Sequence, residues 1–168
     1  SASNGQDNFS DKIQKVVGNI FQDDFKDFLN ALNEQGVDYI LVGGFSVIIH
    51  GYSRTTGDMD IWVKKTKENY SRLVKAFYQF GMPVFDMTEW NFLHHPEWNV
   101  FSYGKSPVAI DIMTEVKGLD FDQAFNQSKI YDDGGLNVRT LHKNDLIDAK
   151  HASKRSKDLD DLENLENS

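Results

Sequence analysis

The sequence of 168 residues predicts an α+β chain folded around one core, and three observations predict it. Apolar residues recur at helical spacing near the start, at Phe21, Phe25, Phe28, Leu29 and Leu32. An apolar strand-like run then ends in a glycine pair, Gly43-Gly44. Two later apolar runs carry aspartates at strand spacing, Asp58 and Asp60 in one and Asp111 in the other. The first pattern is that of an amphipathic helix, and the last that of strands with one buried face.

Residues 1–20 are predicted to form a tail, partly disordered, that is small and polar over its first eight positions. The first helix buries its aromatic and leucine side, turns Asp23, Asp24, Lys26 and Asn30 outward, and stops at Gly36. Val37 to Val42 reads as a strand, Gly43-Gly44 as a turn, and Phe45 to Gly51 as a short helix. Glycine allows positive φ and close approach of backbone to phosphate, while the helix-start amides and the Ser46 hydroxyl offer donors to an anion. After the strand of Asp58 and Asp60, Thr66 is predicted to cap a helix that buries Tyr70, Leu73, Val74 and Phe77 and ends at Gly81. Pro83 to Met113 reads as strand-rich, with strands near Val84 to Asp86, Trp98 to Tyr103 and Val108 to Met113. Asp120 to Gln127 is predicted helical, Asp132 to Gly135 a turn, and Leu136 to Thr140 a strand. Asn144 and Ser156 are expected to cap two last helices, the second burying Leu159, Leu162 and Leu165. All this fits a single domain over residues 21–166.

Composition narrows the function classes. With 39% hydrophobic and 26% charged residues, the chain has enough apolar content for a packed core. No apolar run approaches the roughly 20 residues that span a bilayer, and no signal-peptide pattern is visible, so a cytoplasmic protein without a membrane partner is expected. The absence of cysteine excludes disulfides and thiolate catalysis. A net charge of −8 argues against wholesale wrapping of nucleic acid. Five of the eighteen basic residues, Lys143, Lys150, Lys154, Arg155 and Lys157, nevertheless cluster late in the chain beside His142 and His151, as a local anion-facing patch. Within it Lys150, one helical turn past Leu146 and Ile147, is the best placed to reach across a site.

The aspartates carry the chemistry. Asp58 and Asp60, two positions apart on a strand, share one face, while Met59 and Ile61 enter the other. Side by side, two carboxylates repel, and a hard divalent cation converts that repulsion into coordination. Magnesium suits them, being held by one or two carboxylates together with substrate phosphates. A calcium loop is a poor competitor because Trp62 and Val63 follow where polar ligands would be needed. Neither a P-loop nor a dinucleotide fingerprint surrounds Gly43-Gly44. Asp111, the single charge in its run, supplies a third carboxylate if its strand neighbours that of Asp58, the alternative being a structural ion pair with Arg54 or another cation. Arg54 suits a phosphate or a carboxylate equally. His94-His95 reads as loop or surface, since strand neighbours point apart, and Trp90, Trp98 and Tyr103 read as packing before base stacking.

Taken jointly, Val42-Gly43-Gly44, the thirteen-residue spacer, Asp58-Met59-Asp60 and the later Asp111 resemble the signature of the nucleotidyltransferase superfamily that includes DNA polymerase beta. The Gly43-Gly44-Phe45-Ser46 turn, Arg54 ahead of the dyad and the basic helix from Lys150 to Asp158 resemble small prokaryotic members, the abortive-infection type toxins and the lincosamide-type antibiotic nucleotidyltransferases. The resemblance implies an α/β sandwich, a mixed β-sheet flanked by helices. It implies transfer of a nucleoside monophosphate from an NTP to an acceptor hydroxyl on tRNA or other RNA, a protein or a small molecule, in a toxin–antitoxin or phage-defence setting or in drug modification. Asp58, Asp60 and Asp111 would be catalytic and hold two Mg2+ ions, with Mn2+ as a substitute. Gly43, Gly44, Ser46, Arg54, Lys150 and Lys154 would bind the nucleotide. A homodimer is one way to complete so small a site. Two rival readings are a metal-dependent glycosyltransferase, disfavoured by the 57 residues ahead of Asp58, and a degenerate nucleotidyltransferase fold that binds NTP or a partner protein without turnover.

Overall fold

In the computed structural model, residues 23–51, 57–105, 108–153 and 156–166 are described. The expected tail, Phe21, Arg54, Lys154 and Arg155 lie outside them. A six-stranded sheet of order β3-β4-β2-β1-β6-β5 organises the molecule. Its strands are β1 (Tyr39–Val42), β2 (Asp58–Val63), β3 (Val100–Lys105), β4 (Val108–Met113), β5 (Lys129–Asp133) and β6 (Leu136–Thr140). The central pair β1–β2 is antiparallel, β1–β6 and β2–β4 are parallel, and the outer pairs β3–β4 and β5–β6 are antiparallel hairpins. The sheet is therefore mixed, and the helices on both faces complete the expected α+β sandwich.

One face is covered by α1 (Asp23–Glu34) and α3 (Lys67–Phe80). Helix α1 follows its predicted stripe, burying Phe25, Phe28, Leu29 and Leu32. Helix α3 opens on Thr66, whose side chain accepts from the Asn69 amide, and closes on Gly81 in the left-handed region. Its Leu73 and Phe77 are fully buried, and Phe28 meets Phe77 edge-on with ring centroids 5.5 Å apart. Met59, Ile61 and Val63 of β2 and Ile110 and Ile112 of β4 point into this core. The other face carries Ile40 and Val42 of β1 and Trp62 of β2, packed with Ala124 of α5 (Phe121–Gln127), Leu146 of α6 (Lys143–Ser153) and Leu165 of α7 (Ser156–Glu166). Trp62 meets Phe121 edge-on at 5.1 Å.

Three expectations are corrected. No strand forms at Val84 to Asp86: Met87 donates to the Val84 carbonyl and Thr88 to that of Asp86, so these amides close turns. Thr88 then caps the short helix α4 (Glu89–Leu93), accepting from Asn91. A three-residue run between Pro83 and a capping threonine is too short to win against that local hydrogen bonding. Asn144 lies inside α6 rather than at its cap, and its amide donates to His142 Nδ1 at 3.1 Å. Lys129 to Asp133 is strand β5, which takes in Asp132 and Asp133 from the expected turn and pairs with β6, so that the turn narrows to Gly134–Gly135.

Candidate active site

The glycine pair, read from sequence as a turn, forms the first residues of α2 (Gly43–Ile49), directly after β1. Gly43 has φ +69, and a Cβ built on it would overlap Asp60 Oδ2 and lie 3.0 Å from Asp60 Cγ. The bend and the carboxylate are thus in contact, and glycine is required at that position for both conformation and space. The register explains the contact, because Val42 pairs with Asp60 across the antiparallel β1–β2 ladder.

The parallel β2–β4 ladder sets Asp60 directly opposite Asp111, with Asp58 opposite Ala109. Registered neighbours share a face, and their strands are about 4.8 Å apart. Burial along β2 confirms which face: Met59 and Ile61 are fully buried in the main core, Asp58 is exposed and Asp60 half-buried. Asp111 is likewise half-buried between the buried Ile110 and Ile112. The three carboxylates therefore lie on the α5–α7 side of the sheet, at the end where β1 turns into α2.

Their donor chemistry matches a hard divalent cation: carboxylate oxygens only, two of them on registered neighbours, beside helix-start amides that can face phosphate. Among the described residues no three His, Asp or Glu side chains come together as a group that could by itself hold a metal ion. Magnesium does not demand one, since it keeps water and substrate phosphates in its shell.

The other sequence-predicted residues are placed differently. Ser46 is fully buried, and its hydroxyl is 2.7 Å from that of Thr140 on β6, so the donor read as phosphate-facing is directed into the protein. Lys150 is buried and ion-paired with Asp161 of α7 at 3.4 Å. The neighbouring His151 is 2.8 Å from Glu166. Arg54 and Lys154 fall outside the described residues. His94 follows the end of α4 and His95 lies in the loop beyond, in agreement with a surface reading. Tyr103 is buried and donates to the Val84 carbonyl, while Trp98 stacks on Phe101.

One neighbour escaped the sequence reading. Ser102 of β3 pairs with Asp111, so Asp60, Asp111 and the exposed Ser102 form a row across three strands on one face. Only the β3–β4 register reveals it; serine in an apolar strand carries no signal of its own.

Residues 21–166 match the model of a family described as nucleotidyltransferases of unknown function, DUF6036. Among solved structures, the fold is similar to that of a candidate nucleotidyltransferase from Thermotoga maritima, 12% identical, with a TM-score of 0.52 over 83% of this chain and 88% of that one. An antigenic nucleotidyltransferase-like protein from Paracoccidioides brasiliensis is 14% identical, with a TM-score of 0.49 over 93% of this chain and 76% of that one. No curated protein sequence matches. At such identities the Thermotoga likeness speaks for the fold alone. Across nearly its whole length, from residue 21 to 166, the chain belongs to this family of nucleotidyltransferases of unknown function.

Proposed function

We propose that the protein transfers a nucleoside monophosphate from an NTP to an acceptor nucleophile and releases pyrophosphate. The observation that carries the reading is the Asp60–Asp111 register beside Gly43, which unites three separate segments at one sheet end. Asp58, Asp60 and Asp111 would hold two Mg2+ ions, with Mn2+ as a substitute; when bound, such ions supply charge neutralisation and a lowered acceptor pKa. Asp111, next to Asp60, would accept the proton of an acceptor hydroxyl whose oxygen bonds to the α-phosphorus as the bond to the β-phosphate oxygen breaks. The first amides of α2, opened by glycine, face the departing phosphates. The positive charge for those phosphates comes from Arg54 and Lys154 in this reading, because Lys150 is engaged with Asp161. The acceptor belongs to an RNA, a protein or a small molecule, and a toxin or drug-modifying role follows from which it is.

A second reading is an NTP-binding module without turnover: the buried Ser46 hydroxyl and the Lys150–Asp161 pair engage two donors that would otherwise stabilise the departing phosphates. Incubation with labelled NTPs, Mg2+ and total RNA, with pyrophosphate as the readout, separates the two. The proposal expects magnesium-dependent release that Asp60→Ala lowers by at least about 100-fold in a folded protein. Binding of NTP without release would establish the second reading, and full activity of Asp60→Ala would refute the first.

A further inference from the structure

At the C-terminal end of α2, away from its glycine start, lies a cavity of about 400 Å³, within the range of small-ligand sites. His50 at the end of α2, Lys129 of β5, and His142 and Lys143 at the start of α6 contribute nitrogen groups to it. Although the chain has a net charge of −8, no carboxylate is among the described residues lining this space. Both histidines are oriented by backbone. His50 Nε2 lies 2.7 Å from the Leu141 carbonyl, which can only accept, so that nitrogen carries hydrogen. His142 Nδ1 accepts from the Asn144 amide, which leaves Nε2 as the donor of the neutral ring. Tyr131, which shares a strand face with Lys129, supplies an aromatic wall. Cationic donors beside such a wall suit a phosphate group attached to a flat apolar body.

We propose that this cavity is a separate anion site for a phosphate monoester with an aromatic body, of the nucleoside monophosphate class, with Lys129 and Lys143 on the phosphate and Tyr131 against the ring. It is linked to the glycine bend through its wall residue Thr140, whose hydroxyl bonds Ser46 of α2 and whose backbone pairs with Leu41. None of the three aspartates lines it, and its Lys129 lies on β5, three strand spacings or about 14 Å from β2, so the site is distinct from the carboxylate face.

Calorimetric titration of the full chain in EDTA with AMP, inorganic phosphate and a 5′-phosphorylated oligonucleotide tests the proposal. AMP is expected to bind, and inorganic phosphate to bind roughly tenfold or more weakly for want of the ring contact. Replacing Lys129→Ala together with Lys143→Ala should weaken AMP roughly tenfold or more, and Tyr131→Leu should bring AMP toward phosphate. Lys129→Ala alone, at an exposed position on an edge strand, keeps the test available if the double variant does not fold. Oligonucleotide binding with the same Lys129 dependence supports the site and identifies a nucleic-acid end as the source of the phosphate. Asp60→Ala should leave AMP binding unchanged, so failure here is distinguishable from failure of the transferase reading. Absence of AMP binding, indifference to Lys129→Ala and Tyr131→Leu, or loss of binding in Asp60→Ala would overturn the proposal.

Discussion

Gly43 lacks a side chain because Asp60 occupies the space that one would need. Its positive φ adds a second reason, since a residue with a Cβ is strained in that region. Gly43→Ala should therefore destabilise the fold by about 1–3 kcal/mol and displace the Asp60 carboxylate. Thermal unfolding and pyrophosphate release together check this; an alanine variant with the parent's melting temperature and turnover would show that the contact is dispensable. The glycine pair and the Asp58-Asp60 dyad were legible in the sequence because each is a local pattern with few competing explanations. The fate of the Ser46 hydroxyl was not. Its partner Thr140 is 94 residues away in the chain, and nothing near Ser46 announces it.

At the level of elements, α6 and α7 are joined through Lys150 and Asp161, whose side chains are 6% and 5% exposed. Removing one member of a buried ion pair is strongly destabilising, so Lys150→Ala should destabilise the protein by about 3–5 kcal/mol. Lys150→Met combined with Asp161→Leu should lose less than either single change, and a denaturation series on the three variants decides it. The start of α6 carries a different liability. Asp145 has a buried carboxylate oxygen without a hydrogen-bond partner among the described residues, and burial, with Asp148 adding to it, pushes its pKa up despite the opposing pull of His142. An acid with a raised folded pKa opposes folding once it must ionise: stability is greatest below the unfolded value near 3.8 and falls as pH rises through the folded value. Asp145→Asn should thus raise the melting temperature at neutral pH, with the difference shrinking as pH falls through the carboxylate range. A variant no more stable than the parent at neutral pH would contradict this. Elements with strong caps or stripes, α1 and α3, were readable from sequence. Strand β5 was not, since Lys129 to Asp133 lacks an apolar alternation and exists through its pairing with β6.

Across the whole molecule, the two ends of the sheet behave differently. One end holds the acidic face, the glycine bend and the basic cavity, with Tyr103 buried on the opposite face there, while Tyr39 is buried toward the other end. Burial raises Tyr39 to about 12, and burial likewise raises Tyr103 well above its ordinary value. Both hydroxyls donate hydrogen bonds that a phenolate cannot make, Tyr39 to Asn33 and Tyr103 to the Val84 carbonyl. As pH rises above 10 the unfolded chain loses phenolic protons that the folded chain retains, so stability should fall progressively from there. Melting curves from pH 8 to pH 12 test this, and Tyr103→Phe should flatten the alkaline limb; an unchanged slope would place the linkage elsewhere. Among the described residues no helix is long and apolar enough to cross a membrane. What the sequence by itself determined are the properties set within a few residues: helix stripes and caps, the bend, the shared face of Asp58 and Asp60, and the superfamily signature these compose. What only the tertiary structure decided is which distant groups meet. Asp111 became a neighbour of Asp60 through a parallel ladder, Lys150 was taken by Asp161, and four nitrogen side chains from α2, β5 and the start of α6 came to line one cavity. Parallel pairing and helix docking join segments far apart in the chain, and the order in which strands assemble is set by the packing of the whole sheet, which no local pattern encodes.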